Sequence, residues 1–145
     1  MLIGGWAARL LGSPTVTVDI DIAYARDAEN LERLAQALCE LGARLRGIDH
    51  VLPLRLDART LAAGANFTFT TDAGDLDIQA EPAGAPDYEA LERTAQPMDL
   101  GGFRILVTSI NDLIAMKRAA GRPKDLIELE VLGALREEIE RASGD

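Results

Sequence analysis

Three aspartates and a pair of glycines are the residues of this 145-residue chain whose types and spacing can do chemistry. Asp19 and Asp21 stand two apart in Thr17-Val18-Asp19-Ile20-Asp21-Ile22, where apolar and polar residues alternate. A half-buried strand over residues 16–22 turns both carboxylates to one face, about 7 Å apart along the backbone, with Val16, Val18, Ile20 and Ile22 facing the other way. Two oxygen ligands so placed suit one or two Mg²⁺ ions. Without a cation they repel, and one carboxyl is pushed toward protonation. Gly4-Gly5 lie between an apolar strand end, Met1-Leu2-Ile3, and a short helical pattern, Trp6-Ala7-Ala8-Arg9-Leu10-Leu11. Unpaired N–H groups where a strand gives way to a helix favour an anion such as a triphosphate. Asp77, or Asp75, sits on the polar face of a later alternating run, Asp75-Leu76-Asp77-Ile78-Gln79, and can complete a carboxylate triad. Each motif alone is ordinary; the order Gly-Gly, thirteen residues, Asp-Ile-Asp, then Leu-Asp-Ile makes them one constellation.

The elements that must position these residues can be read from periodicity and punctuation. Asp27 caps a helix whose Leu31, Leu34, Leu38 and Leu41 recur at helical spacing, with Gly42 as its stop. Between residues 44 and 56 the pattern is less regular: Val51, Leu52, Leu54 and Leu56 read as strand, and Pro53 confines that strand to an edge or a bulge. One or two helical turns are expected over residues 57–63. The alternation around Phe67 and Phe69, a turn at Thr71-Asp72-Ala73-Gly74 and the run from Asp75 predict a hairpin. After a loop marked by Pro82, Gly84 and Pro86 come a short helix over residues 88–93 and a strand over residues 103–107. Ser109 with Asp112 begins a helix that presents Ile110, Leu113, Ile114 and Lys117 on one face. Gly121 ends it, and Pro123 opens another with a stripe of Leu126, Leu129, Leu132, Leu135 and Ile139. The expected class is α+β: one domain over residues 1–145, with a small sheet core at about 1–82 and a C-terminal strand and helices at about 86–143.

Composition excludes several kinds of protein. Hydrophobic residues at 48% and charged ones at 27% are globular values, and no apolar run approaches the roughly 18–20 residues of a membrane span. Fifteen basic against 24 acidic residues leave a formal charge of −9, the wrong sign for nonspecific binding to a phosphate backbone. The single cysteine, Cys39, makes no internal disulfide, and its place beside Leu38 on an amphipathic helix reads as a small packed hydrophobe. A cytoplasmic protein is expected. The one histidine, His50, lies in an expected loop, and Ser13 has no basic partner in view, so neither carries a nucleophilic mechanism.

Leu2-Ile3-Gly4-Gly5-Trp6-Ala7, Gly12-Ser13-Pro14 and Thr17-Val18-Asp19-Ile20-Asp21-Ile22 together resemble the signature of the DNA polymerase β-type nucleotidyltransferase superfamily. Within it the chain looks like the small bacterial minimal nucleotidyltransferases and the AbiEii toxin-like proteins. Ser109-x-x-Asp112-Leu113-x-x-x-Lys117 and Gly121-Arg122-Pro123-Lys124-Asp125-Leu126 are similar to the helix pair of the latter. The resemblance implies a mixed-sheet core with helices packed on it and a metal site of Asp19, Asp21 and Asp77, the last drawing the proton from the attacking hydroxyl. It also implies Gly4 and Gly5 as holders of the triphosphate, and Lys117, Arg122 and Lys124 as cations facing phosphate. The implied cofactor is Mg²⁺ or Mn²⁺, and the implied donor is a nucleoside triphosphate. The nucleoside monophosphate would pass to an acceptor hydroxyl on an RNA end, a protein or a small molecule. An antitoxin is the implied protein partner. A catalytically inactive module of the same fold, binding nucleotide or partner, is the alternative.

Overall fold

The structure is a computed structural model, and it describes residues 1–48 and 55–144. His50 and the strand expected around Pro53 lie outside the described residues. The chain begins with a two-residue strand, β1 (Leu2–Ile3), that passes directly into α1 (Gly4–Leu10). An extended stretch leads to β2 (Ile20–Ala23). Helix α2 (Ala28–Glu40) starts as expected at Asp27, whose side chain accepts from the Asn30 backbone N–H. The short β3 (Arg44–Leu45) and α3 (Ala58–Ala63) precede the hairpin of β4 (Asn66–Thr71) and β5 (Gly74–Gln79). Then come α4 (Tyr88–Thr94), β6 (Gln96–Asp99), β7 (Arg104–Val107), α5 (Ile110–Ala120) and α6 (Pro123–Ser143). Ser109 caps α5 by accepting from the Asp112 N–H at 3.1 Å, and Gly121 ends it in the left-handed region at φ 61°.

The seven strands among the described residues form one mixed sheet in the order β3-β4-β5-β2-β1-β7-β6, so the C-terminal β6 and β7 extend the sheet built by the earlier strands. Strand β2 runs parallel to β5, pairing Ile20 with Leu76, Asp21 with Asp77 and Ile22 with Ile78. On its other side it runs antiparallel to β1, pairing Ile3 with Asp21. Alternation then sorts the faces: Asp21 and Asp77 point one way, Ile22 and Ile78 the other. The second face packs under α2 and α3, where Phe69, Ile78, Leu38 and Leu61 are fully buried. A separate core joins Ala7 and Ala8 of α1 to Val107, Leu113 and Leu132. Between them Ile3 and Ala23 pack with Met116 of α5 and Leu91 of α4. The α+β class and the mixed sheet with helices packed on it are those expected. Among the described residues no helix is long and apolar enough to cross a membrane.

Four local expectations are corrected. The strand expected over residues 16–22 begins only at Ile20, and Val16 and Val18 are 82% and 89% exposed. On the β1 side the ladder stops at the Ile3–Asp21 pair because the chain turns into helix at Gly4, so the alternating residues upstream of Ile20 have no strand on that side to join. Strand β6 has no counterpart in the sequence reading. Its Pro97 is tolerated because β6 is an edge strand. Leu126, placed on the apolar stripe of α6, is 59% exposed; the stripe packs from Leu129 onward through Leu132, Leu135 and Ile139. Cys39 is exposed, because the helix turns its position away from the core face that Leu38 occupies.

Candidate active site

Asp19, Asp21 and Asp77 come together at the middle of the sheet. Each has a carboxylate oxygen within 4.8 Å of those of the other two, and all three are half-buried. Asp21 and Asp77 are register partners on adjacent parallel strands, while Asp19 lies in the bend just before β2. Thr17 Oγ1 donates to Asp19 Oδ1 at 3.1 Å, fixing the one member of the trio that no strand holds. Asp75, two residues before Asp77 on β5, accepts from Thr70 Oγ1 at 3.2 Å.

The glycines seat this cluster sterically. Gly4 has φ +66°, where an L side chain is strained, and a Cβ there would come under 3.0 Å from the Asp21 side chain. A Cβ on Gly5 would lie 2.7 Å from Thr17 Cβ. Gly4 therefore makes room for Asp21, and Gly5 for the threonine that orients Asp19. Gly4→Ala is expected to displace the Asp21 carboxylate and to destabilise the fold by more than about 1 kcal/mol. A melting temperature unchanged from wild type would contradict it.

Burial pushes the Asp21 carboxyl up to about 6, and the nearby charges of Asp19 and Asp77 push in the same direction. Burial also raises Asp77, against the opposing pull of Arg46. Arg46 is the residue that the sequence reading missed. It donates from Nη2 to Asp77 Oδ1 at 2.9 Å and lies 3.6 Å from Asp75 through Nε. Its signal was the alternation of Arg44 and Arg46 about Leu45 after the stop at Gly42, which sets both arginines on the polar face. Thr17 was legible as a small polar residue but not as the partner of Asp19.

Asp21 and Gly4 open onto a cleft of about 130 Å³ whose other wall includes Leu113, Met116, Lys117 and Arg122. Lys117 is only 11% exposed; its Nζ is paired with Glu128 and lies 3.4 Å from Asp125. Arg122 holds the fully buried Asp125 through Nε at 2.7 Å and Nη2 at 3.2 Å. Burial alone would raise Asp125, but hydrogen bonds from the Arg122 side chain and backbone, with the Lys117 charge, hold it below the usual carboxylate range. Lys117 and Arg122 thus reach the cleft with their charges already matched by Asp125 and Glu128. Lys124 is exposed on the first turn of α6 and makes no ion pair among the described residues.

The chain has the fold of the lincosamide antibiotic adenylyltransferase LnuA in its lincomycin-bound crystal structure. The two superpose with a TM-score of 0.56 at 18% identity, over 92% of this chain and 85% of that one. The sequence matches no protein-family model, and no curated protein matches it significantly.

Proposed function

We propose that this protein is a metal-dependent nucleotidyltransferase that moves a nucleoside monophosphate from a nucleoside triphosphate to an acceptor hydroxyl. The observation that carries the reading is the convergence of Asp19, Asp21 and Asp77 beside the cleft, on the fold of an adenylyltransferase. The donor set fits a divalent cation. It is all carboxylate oxygen, half-buried, and Arg46 is the only cation paired with its members or with Asp75 among the described residues. The opposite wall adds no surplus positive charge, because Lys117 and Arg122 are matched by Asp125 and Glu128. A triphosphate here would need a divalent cation, held by Asp19, Asp21 and Asp77, to offset its charge.

In this reading Asp19, Asp21 and Asp77 hold Mg²⁺ or Mn²⁺. When bound, the ion neutralises phosphate oxygens and polarises the attacking hydroxyl. Gly4 and Gly5 would hold the phosphates through backbone N–H groups at the start of α1, and Lys117, Arg122 and Lys124 would orient them by hydrogen bonding. Asp77 accepts the proton of the acceptor hydroxyl. The acceptor oxygen bonds to the α-phosphorus, the bond from that phosphorus to the bridging oxygen breaks, and pyrophosphate leaves with its electron pair. The likeness to an adenylyltransferase favours ATP as donor. That neighbour's bound antibiotic, together with the −9 charge, favours a small hydroxylated acceptor over an RNA end or a protein. One nucleotidyltransferase domain over residues 1–145, membership of the AbiEii toxin-like group, an antitoxin partner and a cytoplasmic location are part of the same proposal and rest on the sequence motifs alone.

Thermal unfolding with Mg²⁺ or Mn²⁺ and each of the four nucleoside triphosphates tests the binding step. A ligand at 100 times its Kd stabilises by about 2.7 kcal/mol, which at this size is a shift of several degrees. A shift that needs both metal and ATP is expected, followed by transfer of α-phosphate label to a hydroxylated acceptor. No shift under any combination would refute the proposal. Binding without transfer to any acceptor would leave the inactive module in its place.

A further inference from the structure

We infer that Arg46 is a positioning residue, a two-armed clamp that fixes the orientation of the third carboxylate, Asp77, for metal binding. The inference rests on the nucleotidyltransferase reading and deepens it. Arg46 is anchored before its side chain begins: its backbone N–H donates to Thr68 O at 2.9 Å, continuing the β3–β4 ladder past Leu45. Thr68 pairs with Asp77, and Asp77 with Asp21, so Arg46 stands in one cross-strand row with two of the three carboxylates. Residues in such a row share a face of the sheet.

From there Nη2 donates both to Asp77 Oδ1 at 2.9 Å and to Phe69 O at 2.8 Å. A carboxylate held at one oxygen by a donor that is itself tied to the backbone loses its freedom to rotate, and its second oxygen stays available to a cation. Nε is buried, has no hydrogen-bond partner, and lies 3.6 Å from Asp75 Oδ2. An arginine confined in this way is a geometric device more than a surface ion pair. Lysine supplies the same charge as one ammonium on a flexible stem, without the planar fork. Charge and geometry can therefore be told apart by substitution.

The test is Mn²⁺ binding, read from the paramagnetic resonance of free Mn²⁺, in wild type, Arg46→Met, Arg46→Lys and Asp19→Asn. Melting temperatures without metal confirm that each variant is folded. Arg46→Met is expected to bind Mn²⁺ about 10–100-fold more weakly, the usual cost of losing a partner that orients a metal ligand, and to lower kcat more than it changes KM for the nucleotide. Arg46→Lys is expected to stay at least about tenfold weaker than wild type, because an ammonium on a rotating stem does not reproduce the fixed, planar pair of N–H groups on Nη2 that spans Asp77 Oδ1 and Phe69 O. If Arg46→Met fails to fold, Arg46→Lys decides alone. Affinity equal to or tighter than wild type in a folded Arg46 variant, with affinity lost in Asp19→Asn, would overturn the clamp and leave the metal site standing. Absence of Mn²⁺ binding in the wild type would overturn the site and the clamp together.

Discussion

Asp21→Asn is expected to abolish nucleotidyl transfer and, in the same molecule, to raise the melting temperature of the metal-free protein at pH 8. Asp21 sits half-buried among carboxylates, and burial, then the charges of Asp19 and Asp77, lift its pKa from 3.8 to about 6. A carboxyl that holds its proton more tightly when folded supports the fold fully below pH 3.8, and that support is lost as pH rises through about 6. At pH 8 the ionised group repels its neighbours. Asparagine keeps the shape and removes the charge. Metal-free wild type should therefore melt lower at pH 7 than at pH 5 relative to the variant, whose curve lacks this component. Transfer should fall by more than about 100-fold, since even an outer partner of a ligand is worth about 10–100-fold. Protons compete with metal for the same oxygen, so wild-type metal affinity should decline by about tenfold per unit below pH 6. Melting curves between pH 4 and 8 in a chelator, with a turnover assay beside them, check all three. A variant that turns over like wild type, or that melts lower at pH 8, would contradict the assignment.

Asp125→Ala should be the most damaging substitution outside the carboxylate cluster. Asp125 is completely buried, accepts from the Arg122 backbone N–H at 3.0 Å at the start of α6, and binds the Arg122 guanidinium and Lys117. Its removal leaves Lys117 desolvated with Glu128 as its remaining partner and takes away a helix cap. Breaking a buried pair from one side costs about 3–5 kcal/mol, a large part of the stability of a domain this size. Denaturant midpoints measure it. A double-mutant cycle with Lys117→Met gives the coupling between Lys117 and Asp125. Additive losses would show that Lys117 and Asp125 act independently.

Most of the elements were legible because local chemistry decides them. Asp27 and Ser109 cap the helices they were expected to cap, and Gly121 stops α5 where a left-handed residue was needed. The hairpin across Asp72 and Ala73 follows from alternation on both sides of a two-residue turn. What was misread depends on partners distant in sequence. The alternation upstream of Ile20 matches that of a strand, yet β1 turns into helix at Gly4 and provides no partner there. Strand β6 owes its existence to β7 and has no pattern of its own. Of the candidate site, the coming together of Asp19, Asp21 and Asp77 could be anticipated from order and spacing, whereas the close approach of Gly4 to Asp21 could not. The pairing of Lys117 and Arg122 with Asp125 and Glu128 could not, since a cation read from sequence shows its sign and not its counterion. Arg46 was hidden for a related reason: it reaches the cluster through two strands, β4 and β5, neither of which is its neighbour in sequence.

The two walls of the cleft belong to different packing units. The carboxylates belong to the half of the sheet that packs under α2 and α3, while Lys117 and Arg122 stand on the helix pair that packs with α1 and β7. Within the sheet β1 joins these halves, with Leu2 paired to Ile22 on one side and Val107 on the other, and Met1 exchanging backbone hydrogen bonds with Ala23. A molecule that touches both walls acts as a rivet across this seam. Its affinity and the stiffness of the joint are then two readings of one quantity, and ligands that reach only one wall gain nothing from closing it.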